Sequence, residues 1–320
     1  MTGLQIAPPA QIAVLGGSGF LGQTLARALV GAGFSVKVLT RRTTPVADLA
    51  VLPQVQTVSV PDPADVAALT EALRGCAAVV NLVGILHESA RTGFAEAHVG
   101  LVQSVIEACA RADIARLVQV SALGAAAQAP SRYLRSKAEA EALVTASSLS
   151  ATILRPSVIF GREDRFLNLF AGLARMLPVL VLACPDAKFQ PIHVEDVAHA
   201  IVACLEIPET IGQTLELGGP EVLTLRQLID KVGVWTKVRR PVIGLGVGLS
   251  LLQASLLELL PVKLMTRDNV RSMQVPNVCS GPFPAVLGFL PVTLESVVPA
   301  YLAPQRGRAR YGDLRQRAGR

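Results

Sequence analysis

The glycine-rich stretch at residues 14–22, VLGGSGFLG, constrains the fold of this chain more than any other segment. An apolar run ends at Leu15, and leucine and alanine recur at helical spacing after the last glycine. This order predicts a strand, a tight turn and the start of a helix. Gly16 permits the sharp turn, Gly19 allows close approach of a pyrophosphate, and Gly22 lets the helix lie tightly on the sheet. The segment therefore predicts a dinucleotide-binding unit.

The helix that follows this turn supplies the anion-binding groups. The N–H groups of its first turn, including those of Phe20 and Leu21, have no acceptor within the helix, and the positive end of its dipole points the same way. The pyrophosphate of a nicotinamide dinucleotide is the anion that suits this position.

The residues after the second predicted strand, 34–40, indicate which nicotinamide cofactor binds. NAD sites place a carboxylate at this point to bind the ribose hydroxyls, whereas NADP sites offer arginine to the 2′-phosphate. In this chain Thr40 is followed by Arg41 and Arg42, with no acidic residue. NADPH is therefore favoured over NADH, although the same two arginines are also compatible with a solvated loop.

Two aspartates follow the third predicted strand, 55–60. Asp62 or Asp65 is expected to cap the helix that begins at residue 66. Asp62 is also placed to reach the adenine edge of a bound dinucleotide.

The run at 77–84 is typical of a strand that is buried on both faces of a parallel sheet. Its carboxyl end would lie along the cofactor, which makes Asn81 and Gly84 candidates for the wall of the site. Strand and helix patterns continue to alternate up to residue 155. They predict an α/β fold, a doubly wound parallel sheet of the Rossmann type.

The rest of the chain is expected to divide into two parts. Residues 1–155 form the predicted Rossmann domain, with later strands returning to its sheet. Residues 156–302 read as a smaller substrate or docking lobe, and residues 303–320 as a basic tail.

Three residues are candidates for catalysis. Tyr133 and Lys137 are four residues apart, and so lie on one face of the predicted helix. A lysine cation beside a phenol is expected to lower the phenol pKa and can also hold the nicotinamide ribose. Ser121, at the end of the fifth predicted strand, is the candidate third group, although it lies early for that role.

The other charged residues suggest structural roles. The mixed-charge run at 162–165 is expected to be an ion-paired loop that braces the two lobes, the alternative being a gate at the nicotinamide end. Asp196 is expected to cap a helix over 197–205. The five cysteines have no metal-ligand spacing, so no metal site is expected.

An apolar segment at 242–260 contains only Gln253 and Glu258 as strongly polar residues, and its length is close to that of a membrane span. Its three glycines favour a buried or interface helix instead, and a role at a membrane surface stays open.

The tail carries six arginines and one acidic residue, Asp313. Such a tail would be attracted to an anionic membrane surface or an acidic partner. The arginines are Arg306, Arg308, Arg310, Arg315, Arg317 and Arg320.

The composition indicates which partners and which cellular compartment to expect. The net charge is +6, and the mean hydropathy of +0.47 indicates a large partner surface or a nearby membrane. The odd number of cysteines and the absence of a signal-peptide pattern favour a cytoplasmic location. No nucleic-acid recognition motif is present, so nucleic acid is not expected as a partner.

Several motifs resemble the extended or atypical short-chain dehydrogenase/reductase superfamily. They are the glycine turn at 16–22, Tyr133 with Lys137, LRPSVIFG at 154–161, and PIHVEDVA at 191–198. The run FGREDRFLN at 160–168 is similar to the signature of the reductase-like accessory subunits of respiratory complex I (NADH:ubiquinone oxidoreductase) and their bacterial relatives. The resemblance extends over about residues 11–302.

This resemblance implies a subunit that holds NADPH for structural purposes and docks beside the membrane arm of complex I. It would be peripheral on the inner face of the plasma membrane. The alternative is an NADPH-dependent reductase, or a nucleotide-sugar-epimerase-like enzyme, that uses Tyr133 and Lys137. Ser121 departs from the family pattern, because Ala122, Leu123 and Gly124 follow it where many active members have another serine or threonine.

Overall fold

The computed structural model describes residues 5–41, 49, 51–88, 92–260 and 264–303. Through residue 156, the order of strands and helices largely follows the sequence prediction. The strands are β1 (Gln11–Leu15), β2 (Ser35–Thr40), β3 (Val55–Ser59), β4 (Ala78–Asn81), β5 (Arg116–Val120) and β6 (Ser150–Pro156). The helices are α1 (Phe20–Gly31), α2 (Val66–Leu73), a π-helical segment (Ala95–Gly100) that continues into α3 (Leu101–Arg111), and α4 (Arg132–Ala146).

Beyond residue 156 the elements are shorter. The strands are β7 (Ile159–Phe160), β8 (Leu180–Ala183), β9 (Lys188–Phe189), β10 (Ile192–His193), β11 (Thr214–Leu217), β12 (Leu223–Thr224) and β13 (Val242–Leu245). The helices are α5 (Leu167–Met176), α6 (Val194–Glu206), α7 (Leu225–Thr236), α8 (Val247–Leu257), α9 (Arg267–Ser272) and α10 (Leu294–Leu302), with 3-10 turns at Pro208–Thr210 and Ala285–Leu287.

Seven parallel strands form the central sheet, in the order β3-β2-β1-β4-β5-β6-β11. This order confirms the predicted doubly wound sheet. β1 pairs with β2 on one side and with β4 on the other, so the winding reverses at β1. A crevice opens at the carboxyl ends of the strands at such a switch point, and ligands bind there.

Helices cover both faces of the sheet. β4 and β5 are buried at every residue, which is the pattern of strands covered on both faces. One face packs against α1 and α6, with Leu25 and Ile201 in the shared core. The other packs against α2, α3 and α4, with Leu69, Val105 and Val144 in a second core.

The later part of the chain contributes to both regions of the structure. β11 adds the last strand to the sheet and α6 packs on α1, so the chain does return to the Rossmann unit. Other elements, among them α5, α7 and α10, form a separate apolar core around Leu167, Leu228 and Val298. The division at residue 155 stays a prediction.

Asp65 is the cap of α2, because its carboxylate accepts a hydrogen bond from Ala68 N at 3.1 Å. Asp62 lies in the preceding turn and accepts from Ala64 N at 2.9 Å. The capping role expected for Asp196 is wrong. His193 occupies the N-cap position of α6, and Asp196, in the first turn, accepts from Val292 N at 2.9 Å.

Hydrogen bonds replace the ion pairs expected in the mixed-charge run. Within the described residues, none of the four charged side chains at 162–165 forms an ion pair. The buried carboxylate of Asp164 accepts from Phe166 N at 2.8 Å and Leu167 N at 2.6 Å, at the start of α5. It also accepts from the Tyr301 hydroxyl at 3.2 Å, which joins α5 to α10.

The apolar segment at 242–260 divides into a strand, β13, and an eleven-residue helix, α8. In the part of the chain that the structure describes, no helix combines the length and apolar character needed to cross a bilayer.

Candidate functional site

The glycine turn between β1 and α1 is built by contacts that exclude larger side chains. Gly16 has φ +78°, and its carbonyl accepts from Gly19 N at 3.0 Å. A Cβ at Gly22 would stand 2.4 Å from Gly16 O and 2.4 Å from Gly17 Cα. Backbone cannot move away as a flexible side chain could, so only glycine allows α1 to approach the turn this closely.

The amino end of α1 faces the crevice without a capping side chain. Gly19 is the N-cap residue and has none to offer, so the first N–H groups of the helix, from Phe20 and Leu21, remain for an anion. The Phe20 ring also reaches the later part of the chain, because a Cβ at Gly161 would come within 3.0 Å of it.

The ribose end of the site lies at the edge formed by β2 and β3. Their parallel register pairs Thr40 with Ser59, so the residues that follow them leave the sheet on the same edge. Arg41 and Asp62 are both exposed there. Arg42 lies outside the described residues.

Asn81 supports the wall of the site from behind. It is 1% exposed, its amide nitrogen donates to Gln119 Oε1 at 3.0 Å, and its oxygen accepts from Val83 N at 3.1 Å. These bonds hold β4 to β5 and fix the start of the loop that carries Gly84. The side chain of Asn81, a candidate for the wall of the site, is thus buried and hydrogen-bonded within the protein.

Gly84, a candidate for the wall of the site, lies against Lys137. A Cβ at Gly84 would stand 3.2 Å from Lys137 Nζ. Glycine therefore allows the loop after β4 to lie directly against the lysine of α4.

His98 is the site residue that the sequence reasoning missed. Its Nε2 accepts from Ile85 N at 3.0 Å, so Nδ1 carries the proton and donates to Ser136 Oγ at 2.8 Å. Ser136 Oγ in turn donates to the Tyr133 carbonyl at 2.8 Å. This chain of hydrogen bonds ties the loop after β4 to the first turn of α4.

The imidazole of His98 is held neutral. Burial, and then the charge of Lys137, lower the pKa of His98 to about 3. The ring stacks on Phe94 and meets Tyr133 edge to face, with ring centroids 5.6 Å apart in both pairs. A single histidine in a helical run has no accompanying motif, so the sequence offered no signal for this role.

Tyr133 and Lys137 lie on the first turns of α4, which Ser131 caps by accepting from Leu134 N at 3.2 Å. The expected lowering of the Tyr133 pKa is wrong: burial raises the pKa of Tyr133 to about 12. Lys137 is itself buried, and its Nζ donates to the Val120 carbonyl at 3.3 Å.

Burial lowers the pKa of Lys137 to about 8, against the opposing effect of Glu141. At neutral pH the site therefore offers a neutral phenol and a lysine that is mostly charged. A neutral phenol donates a hydrogen bond or a proton, and does not act as a base.

Ser121 follows β5 directly, as predicted, and its N–H donates to the Leu154 carbonyl at 2.7 Å. Its hydroxyl is buried and has no hydrogen-bond partner among the described residues. An unpartnered buried hydroxyl is costly unless a ligand or water satisfies it.

The residues present fit a nicotinamide dinucleotide. The close backbone contact at Gly22 and the uncapped start of α1 would receive the pyrophosphate, Arg41 and Asp62 would face the adenosine half, and Lys137 would hold the nicotinamide ribose. When bound, the nicotinamide group supplies hydride chemistry. Within the described residues, no group of three or more His, Cys, Asp or Glu side chains could hold a metal ion.

This sheet order, glycine turn and tyrosine-lysine pair define a Rossmann-type dinucleotide-binding protein of the extended short-chain dehydrogenase/reductase class. The chain belongs to the NAD dependent epimerase/dehydratase family, which its residues 12–218 match.

Curated relatives include both a respiratory subunit and an enzyme. Over 224 residues the chain is 35% identical to the mitochondrial NADH dehydrogenase [ubiquinone] 1 alpha subcomplex subunit 9 of Arabidopsis thaliana, covering 68% of this chain and 56% of that protein. Over 202 residues it is 36% identical to the ceramide reductase of Caulobacter vibrioides, covering 62% of this chain and 61% of that enzyme. The chain thus spans little more than half the length of these relatives.

Solved structures share the fold. The NADPH-dependent quinone oxidoreductase of Escherichia coli, in complex with NADPH, superposes with a TM-score of 0.74 at 20% identity, covering 91% of this chain and 99% of that one. At this identity the likeness concerns the fold alone.

Gly22→Ala tests the glycine contact. We expect this substitution to weaken NADPH binding by roughly a hundredfold, about 2.7 kcal/mol, because its Cβ forces α1 away from the turn. The matched control is Gly31→Ala at the other end of α1, where a Cβ meets no atom within 4 Å. Calorimetric titration of both variants with NADPH checks this, and equal affinities would contradict it.

His98 makes stability depend on pH. The pKa of His98 is about 3 in the folded protein and 6.5 in the unfolded chain. Between pH 3 and 6.5 the unfolded chain therefore binds a proton that the folded protein does not. Folding stability is therefore lost as pH falls from about 6.5 towards 3. We expect the free energy of unfolding of the His98→Asn variant, measured by urea unfolding, to fall less than that of wild type over this pH range. The dependence is reduced rather than abolished, because burial also lowers the pKa of His193. An identical pH dependence in both proteins would contradict the assignment.

Proposed function

We propose that this protein is an accessory or assembly subunit of NADH:ubiquinone oxidoreductase, with NADPH held as a structural ligand. The observation that carries the proposal is a complete glycine turn in a chain that is 35% identical to a subunit of that complex. Because the chain spans 56% of that relative, its assembly with the complex remains part of the proposal.

The preference for NADPH over NADH belongs to the same proposal. Arg41 is exposed directly after β2, at the position where an NAD site needs a carboxylate. Arg42 follows it in the sequence. Guanidinium groups suit a phosphate because they donate paired hydrogen bonds to it.

We place the protein in the cytoplasm, peripheral on the inner face of the plasma membrane. The support is its similarity to a subunit of NADH dehydrogenase [ubiquinone] and the six arginines of the tail, residues 303–320. Nearly all of this tail lies beyond the described residues, so its attraction to an anionic surface rests on its charge alone.

A second candidate function is an NADPH-dependent reductase, or an epimerase-like enzyme. Two features favour it: the neutral Tyr133 phenol, which can donate a proton to a carbonyl, and the unpartnered Ser121 hydroxyl, which can steady that carbonyl. The similarity to a ceramide reductase adds support.

Arg41→Ala tests the cofactor preference. We expect the affinity for NADPH to fall at least tenfold while that for NADH changes little, because only NADPH carries the 2′-phosphate. Arg27→Ala, an exposed arginine on α1, is the matched control for net charge and should leave both affinities unchanged. Equal losses for the two cofactors would contradict the assignment.

Co-purification tests the assembly. The tagged full-length chain, isolated from solubilised membranes of its source, should comigrate with NADH:quinone activity on a native gel. A soluble chain that migrates alone would contradict the proposal. If that soluble protein oxidised NADPH with an added carbonyl or quinone, and Tyr133→Phe abolished the reaction, the enzyme function would be favoured instead.

A further inference from the structure

The outward side of α8 and of the β8/β13 pair forms a continuous apolar surface, which we call the apolar face. Among the described residues nothing covers it. The exposed fractions of Leu249, Leu252 and Leu256 on α8 are 59%, 58% and 61%, and those of Val181 and Ile243 on the strands are 49% and 54%.

α8 exposes apolar side chains to solvent, unlike an ordinary surface helix. Such helices bury their apolar side and expose their polar side. In α8 the buried residues are Ser250 and Ala254, and Ser250 Oγ accepts from Cys184 N at 3.2 Å. Leu249, Leu252 and Leu256 are exposed to solvent, and Leu251 and Leu257 are half-buried. An arrangement of this kind is favourable only if the leucines leave water by some other contact.

The strand pair extends the same surface. Its parallel register places Val181 beside Ile243, both exposed, while Leu180 and Leu182 turn to the interior. Gln253 Nε2 donates to the Val181 carbonyl at 3.1 Å, so the helix lies directly against the strand.

Cations lie at one border of this face, whereas Glu258, which follows α8 at its carboxyl end, is paired with Arg267. The segments 174–183 and 237–257 contain four cationic residues and no acidic one. The cations, all exposed, are Arg175, Lys237, Arg239 and Arg240. Arg240 Nε donates to the Ala174 carbonyl at 2.9 Å, which brings the two segments side by side at one border of the face.

We propose that the apolar face binds the surface of an anionic lipid bilayer. The aliphatic side chains enter the interfacial region, and the four cations lie against anionic headgroups at its border. At eleven residues α8 is too short to cross the bilayer, so it lies along the surface.

The cationic border favours an anionic bilayer as the partner of the face. The face itself is aliphatic, because residues 176–183 and 241–257 contain no phenylalanine, tyrosine or tryptophan. This binding surface is distinct from the tail and does not depend on assembly with a respiratory complex.

Flotation of the purified full-length protein with lipid vesicles tests the proposal. Wild type should bind phosphatidylcholine vesicles that contain phosphatidylglycerol more tightly than vesicles of phosphatidylcholine alone. The double variant L252S/L256S should reduce partitioning at least tenfold on both. The variant R239E/R240E should reduce binding chiefly to the anionic vesicles. The tail is the same in all these proteins, so the differences report on the face.

L290S is the matched control, because Leu290 is 84% exposed and lies outside the face. It should bind as wild type does. The melting temperature of L252S/L256S should not fall, since both leucines are exposed. Undiminished binding by L252S/L256S, or no vesicle binding by wild type, would overturn the proposal. If wild type failed to bind vesicles and L252S/L256S lost co-purification with a membrane complex, the face would be a protein-docking surface instead.

Discussion

The contact between Gly22 and the backbone of Gly16 and Gly17 is the constraint on which the site depends. A side chain at position 22 would need space that backbone atoms already occupy, at 2.4 Å. Because glycine has no side chain, α1 lies against the end of β1. The amino end of α1 thereby reaches the point where the winding of the sheet reverses. The dinucleotide site that we infer at this point depends on this close approach.

Buried polar groups hold the rest of the site in place around that contact. Asn81 fixes the end of β4 against β5, and His98 ties the following loop to the helix that carries Tyr133 and Lys137. Neutral hydrogen-bonded groups suit this task, because an unpaired buried charge costs far more than a satisfied neutral group. The low pKa of His98 is therefore part of its positioning role.

Much of the fold could be predicted from the sequence, because local patterns carry it. Glycine spacing, apolar strands and the residue that follows each strand located the cofactor cleft, and the spacing of Tyr133 and Lys137 placed them on one helix.

Long-range contacts could not be predicted in this way. The bond from Val292 to Asp196, and that from Tyr301 to Asp164, join residues far apart in sequence, and no local pattern announces them. The prediction for the Tyr133 pKa was wrong for a related reason. Burial raises this pKa, and the rings of Phe94 and His98, which are distant in sequence, lie against Tyr133. The exposed side of α8 could not be predicted either, because nearly every residue of that segment is apolar.

The most direct test of this account is the nucleotide content of the purified protein. The full-length chain is denatured after purification, and the released nucleotide is identified and quantified by chromatography and mass spectrometry. The account predicts NADPH or NADP⁺, or, if the nucleotide is lost during purification, a higher melting temperature when NADPH is added. Neither a released nucleotide nor any rise in melting temperature with NADPH or NADH would contradict it.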